Sequence, residues 1–139
     1  MHVRLQHLGL GLLIITAMIM TALVGCAPIN PTVGPEWNDQ TYRLLLGGTL
    51  SVRLPTDAEA ANCNWRIAGL NQTFLRRIDN ADTLSPGTRS QLASGDWVET
   101  FQFQGVIQGT TDLLLEYRCN ETPTGETFQL TVQVVGSGI

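Results

Sequence analysis

The sequence predicts an all-β domain built as a two-sheet sandwich. From Thr41 onward, apolar and polar residues alternate over short runs that are separated by turn residues. No segment shows the sustained 3.6-residue apolar spacing of an amphipathic helix. About seven strands of this length suit two packed sheets.

Five strands are predicted from strict alternation, which gives each one an apolar face and a polar face. Trp65 is expected in the core, where an inward tryptophan holds the sheets of a sandwich together. The apolar residues are, in chain order, Leu50, Val52 and Leu54; Trp65 and Ile67; Phe101 and Phe103; Leu113, Leu115 and Tyr117; and Phe128, Leu130, Val132 and Val134.

A long turn-rich connection is predicted for residues 79–96. It contains Ser85-Pro86-Gly87 and Ser94-Gly95-Asp96, both typical of turns, and one short helical turn is expected over residues 88–93. The connection leads to Trp97, which is expected either to pack under the loop or to act as a contact anchor.

The first residues have the pattern of a bacterial lipoprotein signal. An apolar run over residues 8–23 follows Arg4 and ends in Leu23-Val24-Gly25-Cys26, the pattern at which bacteria attach lipid to a cysteine. An uncleaved membrane helix is the alternative, although about 16 apolar residues are fewer than the ~20 needed to cross a bilayer. Lipid on Cys26 would anchor the chain in the cell envelope, on the extracytoplasmic side of a membrane.

The chain then divides into three parts. Residues 1–25 are the predicted signal peptide, residues 26–40 a flexible tether rich in proline and small residues, and residues 41–136 one folded domain. Trp37 lies in the predicted tether and has no assigned role.

Cys63 and Cys119 remain after the signal is removed. Disulfides persist outside the cytoplasm, so the two are expected to pair; free thiols, one of them a nucleophile, are the alternative. A disulfide closing a loop of this length would stabilise the fold by roughly 4 kcal/mol, because it restricts the unfolded chain.

The absence of histidine from the mature domain narrows the range of functions that the domain can have. Both histidines lie in the predicted signal, so the mature domain lacks the commonest general base and the usual zinc ligand. We therefore expect no enzyme, no metal and no cofactor. Carboxylate pairs are the remaining alternative for acid–base chemistry, either Asp96 with Glu99 or Glu116 with Glu121.

The charges argue against nucleic acid as a partner. The mature chain has seven arginines, no lysine and twelve acidic residues. These charges are scattered along the sequence, so no basic groove for nucleic acid is expected. Arg76-Arg77 is the one basic pair, expected at a solvated strand end or turn rather than at a phosphate site.

Several stretches resemble one known family in their order and spacing. Residues 48–55 (GTLSVRLP) end ten residues before Trp65, and residues 99–103 (ETFQF), 109–118 (GTTDLLLEYR) and 127–134 (TFQLTVQV) follow. This arrangement resembles the chagasin-like inhibitors of papain-type cysteine proteases, which are immunoglobulin-like β-sandwiches. The resemblance implies that fold, and inhibition through three loops at one end of the sandwich that enter the protease cleft.

The three loops would lie at residues 56–64, 85–98 and 119–125, where the sequence departs from the family pattern. The first loop keeps only the tryptophan of the family's Asn-Pro-Thr-Thr-Gly-aromatic-x-Trp, and the third keeps only the arginine of Arg-Pro-Trp. The candidate protease-binding residues implied by position are Ala60, Ala61, Asn62, Gly95, Asp96, Trp97, Arg118 and Asn120.

The resemblance also bears on the cysteines, which fall in the first and third loops. Because the family fold places these loops side by side, a Cys63–Cys119 bond is implied, with a rigid acidic edge around Glu59 and Glu121. Arg118 is expected to pair with a neighbouring carboxylate.

The predicted function is that of a monomeric, lipid-anchored inhibitor whose partner is a papain-like cysteine peptidase. The alternative is a non-inhibitory sandwich module that binds another envelope protein.

Overall fold

The computed structural model describes residues 30–57 and 62–137. These residues form two facing sheets of nine strands, which confirms the predicted all-β sandwich but with nine strands instead of about seven. The strands are β1 (Thr32–Val33), β2 (Gln40–Leu45), β3 (Thr49–Pro55), β4 (Cys63–Gly69), β5 (Leu75–Arg77), β6 (Thr88–Gln91), β7 (Trp97–Gly105), β8 (Gly109–Cys119) and β9 (Thr122–Val135).

The helical content of the described residues is one 3₁₀ turn, Pro35–Trp37. Within these residues, no helix has the length and apolar character needed to cross a membrane.

One sheet has the order β1-β3-β7-β5, and β6 pairs with a further length of β7. The other sheet has the order β2-β9-β8-β4. β1 runs parallel to β3 and β2 runs parallel to β9, whereas the other pairs are antiparallel.

The strand directions define two ends of the sandwich. Pro55 at the end of β3 lies opposite Val98 near the start of β7, and Cys63 at the start of β4 lies opposite Cys119 at the end of β8. We call this the loop end; its described residues are 55–57, 62–63, 92–97 and 119–122. The opposite end, with the turns at residues 45–48 and 105–108, is called the base.

The predicted apolar faces point into the core. Trp65 is buried and donates its indole N–H to the carbonyl oxygen of Pro55 at 2.8 Å. Tyr117 is half-buried and lies with its ring centroid 5.2 Å from that of Trp65. The fully or nearly buried predicted residues are Leu50, Val52, Leu54, Trp65, Ile67, Phe101, Phe103, Leu113, Leu115, Phe128, Leu130, Val132 and Val134.

The N-terminal segment differs from the predicted tether. Residues 1–29, which include Cys26, lie outside the described residues, but Thr32–Val33 pairs with β3 and Val33 is buried. Trp37 packs against the core and meets Tyr42 edge-on, with 5.2 Å between ring centroids. Residues 32–40 are therefore part of the sandwich, and Trp37 has a packing role.

The prediction of a helical turn over residues 88–93 is wrong. Thr88–Gln91 is strand β6, which pairs antiparallel with β7. Its residues are exposed or half-buried, so no apolar face marks it as a strand.

Arg77 organises the connection between β5 and β6. Its side chain is 0% exposed, and it forms a bidentate salt bridge with Asp79, with N–O distances of 3.0 and 2.9 Å. Its guanidinium lies 5.0 Å from the centre of the Phe101 ring. Arg76 is exposed as predicted, but the prediction of a solvated position is wrong for Arg77. Arg77 also donates to the carbonyl oxygens of Asp82, Thr83, Ser85 and Pro86.

Candidate functional site

Segments from all three predicted loop regions meet at the loop end. The first two regions border an open depression of about 520 Å³, together with the strand residues that flank the third region. The lining residues are Pro55, Thr56 and Asp57 after β3; Gly95, Asp96 and Trp97 before and at the start of β7; and Tyr117 and Glu126 from β8 and β9.

The first segment, which follows β3, is held by hydrogen bonds to β7 and β8. The amide of Thr56 donates to the carbonyl oxygen of Trp97 at 2.9 Å, and the amide of Asp57 donates to the hydroxyl of Tyr117 at 3.3 Å. Arg89 donates from β6 to the carbonyl oxygen of Asp57. The candidate residues Ala60 and Ala61, together with Glu59, lie outside the described residues.

A buried carboxylate lies beneath this segment. Glu99 of β7 is 0% exposed, and it accepts the amide of Trp65 at 3.0 Å and the hydroxyl of Thr56 at 3.1 Å. Burial raises the pKa of Glu99 above its ordinary value, although these hydrogen bonds and the charge of Arg89 act in the opposite direction. Because Trp65 and Glu99 belong to different sheets, the carboxylate joins the two sheets at the loop end.

The buried position of Glu99 could have been predicted from the sequence. It precedes Phe101 and Phe103 at a spacing of two and therefore shares their inward face. As a candidate site residue, Glu99 was predicted only as a member of a carboxylate pair with Asp96. Tyr117 and Thr56, which complete the network around it, were not predicted as site residues.

The ends of β4 and β8 are joined covalently, which confirms the predicted pairing. Cys63 and Cys119 form a disulfide with 4.0 Å between their Cα atoms. Beside it, the side-chain amide of Asn62 donates to Oδ1 of Asn120 at 2.7 Å, and the amide of Asn120 donates to the carbonyl oxygen of Asn62 at 3.0 Å. The first and third segments are thus fastened together, as the resemblance implied.

The third segment is much shorter than the predicted loop over residues 119–125. Cys119 of β8 pairs with Thr122 of β9, which leaves Asn120 and Glu121 as a two-residue hairpin turn. Both have positive φ, 50° and 64°, the signature of a type I′ turn. Residues 122–125 belong to β9, so the third segment forms a tight edge rather than a projecting loop.

The second segment is the tip of the β6–β7 hairpin. Gly95 has a φ of +94°, a conformation that favours glycine in this turn. Asp96 is exposed and its carboxylate accepts the hydroxyl of Ser94 at 2.9 Å. Trp97 is half-buried and also lines an adjoining depression of about 450 Å³, which Leu92 and the N-terminal segment border.

Arg118 forms the predicted ion pair. Its Nη2 lies 3.0 Å from Oε2 of Glu116, whereas Glu121 binds Arg66 at 2.7 Å. The carboxylates of the alternative acid–base pair therefore have separate arginine partners. In the described part of the chain, no group of three or more His, Cys, Asp or Glu residues is placed to hold a metal ion.

Comparison with known proteins places this architecture in a family. The model of the chagasin family peptidase inhibitor I42 matches residues 43–132, which is more than half of the chain. The chain belongs to the chagasin family. The comparison with curated proteins yields no match.

Two solved structures share the fold of this chagasin-family chain. The cysteine protease inhibitor EhICP2 from Entamoeba histolytica is 13% identical with a TM-score of 0.58, and the match covers 78% of this chain and 99% of that one. Amebosin is 19% identical with a TM-score of 0.52, over 76% of this chain and 98% of that one. At these identities the likeness concerns the fold alone.

Proposed function

We propose that this chain inhibits a papain-like cysteine peptidase by inserting its loop end into the active-site cleft. Membership of a peptidase-inhibitor family supports the class of activity. The observation that carries the proposal is the convergence of the segment after β3, the tip of the β6–β7 hairpin and residues of β8 and β9 around one depression at the loop end. Lipid on Cys26 would hold the inhibitor at the extracytoplasmic face of a membrane.

Inhibition of this kind needs no chemistry from the inhibitor. The first segment and the tip of the β6–β7 hairpin occlude the cleft, while the Asn120-Glu121 turn supports them from the side. The Cys63–Cys119 disulfide and the Glu99 hydrogen bonds order these segments before binding. Such preorganisation reduces the entropic cost of forming the complex.

Trp97 is the expected contact anchor. It is half-buried, so its ring is already oriented, and it lines both depressions at the loop end. A tryptophan in this setting is a typical hot spot of a protein interface.

The test is a titration of papain with the chain while the hydrolysis of a fluorogenic peptide is followed. Trp97→Ala should weaken inhibition by about 2 kcal/mol, roughly 30-fold. Leu84→Ala is the matched control, because it removes an exposed leucine from a connection outside the loop end. Papain requires reductant, so mass spectrometry after the assay must show that Cys63 and Cys119 are still bonded.

A non-inhibitory module that binds an envelope protein is the second candidate. It is favoured by the third segment, which is a two-residue turn beside an Arg118 already paired with Glu116. Absence of inhibition of both papain and a second papain-like enzyme, with the disulfide intact, would support this candidate instead.

A further inference from the structure

The base of the sandwich carries a group of exposed apolar side chains. Leu45 and Ile107 are 53% and 50% exposed, and Leu46 and Val106 are 43% and 36% exposed. Their two turns are joined, because the amide of Gly47 donates to the carbonyl oxygen of Gly105 at 2.9 Å. Exposed apolar residues are common singly, but four on two connected turns form a patch of the kind that marks an interaction surface.

The charge around this patch differs from that of the rest of the chain. The four segments that build the base contain Arg43 and Arg76 and no acidic residue, although the whole chain has a net charge of −4. The acidic residues of the loop end include Asp57, Asp96 and Glu121. The base is therefore apolar and basic. The four segments are residues 43–49, 70–76, 104–110 and 133–137.

The first described residues lie toward the same end. The carbonyl oxygen of Pro31 accepts the amide of Ser51 at 2.9 Å, so the described chain begins beside the first residues of β3, which lead out of the turn at the base. Cys26 is four residues before Asn30. An extended chain of that length spans at most about 14 Å.

We infer that the base of the sandwich rests on the anionic surface of a lipid bilayer. The inference depends on the proposed lipid anchor at Cys26 and is independent of protease inhibition. A short link from the anchor leaves the base nearest to the bilayer. The four apolar side chains then enter the headgroup region, where Arg43 and Arg76 meet lipid phosphates.

This orientation has a consequence for the loop end. The depression bordered by Trp97 lies at the far end of the sandwich from the base, so it faces away from the membrane. A peptidase approaching from the aqueous side would meet it without obstruction by lipid.

The experiment uses the full chain produced in a bacterium and reconstituted into vesicles of phosphatidylglycerol and phosphatidylcholine. Mass spectrometry first establishes whether Cys26 carries acyl chains. A tryptophan reporter is then introduced at the base, Ile107→Trp, or at the hairpin tip, Ser94→Trp. The quenching of tryptophan emission by lipids with brominated acyl chains is then measured. The wild-type chain gives the background quenching of the native tryptophans.

The reporter at position 107 should lose most of its emission in brominated vesicles, and the reporter at position 94 should be unaffected. Adding Leu46→Gln and Val106→Gln should weaken the quenching at position 107, whereas Leu84→Gln should leave it unchanged. Vesicles of phosphatidylcholine alone should also give weaker quenching, because they lack the negative charge that the arginines meet.

Three other results would contradict the inference or part of it. A chain without acyl groups on Cys26 would refute the proposed anchor, and this inference with it. An acylated chain with no quenching at position 107, or with quenching at position 94 instead, would refute the orientation alone. Equal quenching in both kinds of vesicle would refute the role of Arg43 and Arg76.

Discussion

At the scale of single residues, two buried charged side chains organise this sandwich. Glu99 joins the sheets beneath the loop end by accepting the amide of Trp65 and the hydroxyl of Thr56. Arg77 holds the connection after β5 by donating to one carboxylate and four carbonyl groups. Each charge is tolerated in the interior because hydrogen bonds replace its contacts with water.

The raised pKa of Glu99 predicts a specific pH dependence of stability. Since the folded state holds this proton more tightly than the unfolded state, the contribution of Glu99 is complete below the ordinary value of 4.5. It is lost as the pH rises from there through the folded pKa. As the pH rises above 4.5, the unfolding free energy of the wild type should therefore fall relative to that of Glu99→Gln.

Urea unfolding of both chains at a series of pH values would measure this difference. Glu99→Gln keeps the shape of the side chain and an oxygen acceptor for the amide of Trp65, so the comparison isolates ionisation. The expected size is on the order of 1 kcal/mol for each unit by which the pKa is raised. A constant difference across the pH range would contradict the prediction.

Arg77→Lys should destabilise the fold even though it conserves the charge. A lysine ammonium has three donors and cannot reproduce the bidentate contact with Asp79 together with the carbonyl contacts. We expect a loss of about 3 kcal/mol in the unfolding free energy, typical of a broken buried pair. The neighbouring Arg76→Lys is the control, because Arg76 is exposed and donates only to Gln104 among the hydrogen bonds of the described residues. Equal effects in urea unfolding would show that the burial of Arg77 is unimportant.

At the scale of elements, alternation predicts the strands that have one apolar face. The strand carrying Phe101 and Phe103 and the strand carrying Leu113 and Leu115 were predicted for this reason and are buried as expected. Four strands were not predicted individually. β1 and β5 have only two and three residues, too few to show alternation, β2 has one buried residue, and β6 has no apolar face.

The candidate site was predictable to a smaller extent. The Cys63–Cys119 bond and the side-by-side placement of the first and third segments were predicted from the compartment and the family resemblance. The third loop was predicted too long, because Asn120-Glu121 lacks the Asn-Gly or Asp-Gly that usually identifies a two-residue hairpin turn.

That turn leads to a prediction about stability. Glu121 has a φ of 64°, which is strained for a residue with a Cβ atom. Glu121→Gly and Glu121→Ala both remove the contact with Arg66, but only glycine also relieves the strain. The glycine variant should be more stable than the alanine variant by about 1 kcal/mol in urea unfolding. Equal stability would mean that the backbone is not strained there.

At the scale of the whole molecule, the sandwich separates two surfaces of different character. The loop end is lined by Trp97 and acidic residues, whereas the base presents apolar residues with Arg43 and Arg76. β7 runs from one surface to the other, from Trp97 to Gly105. At about 3.3 Å per residue this strand separates them by about 26 Å.

The two surfaces should therefore act independently. Substitutions that are far apart and share no partners have additive effects, so Trp97→Ala should weaken papain inhibition roughly 30-fold without changing lipid quenching of the position-107 reporter. Leu46→Gln with Val106→Gln should have the opposite effect, with reduced quenching and an unchanged inhibition constant. The combined variant should show both losses at their separate sizes. If the base substitutions weakened inhibition in solution as much as Trp97→Ala does, the two ends would be coupled through the core, and the division of the molecule into a lipid-facing base and a peptidase-facing end would be wrong.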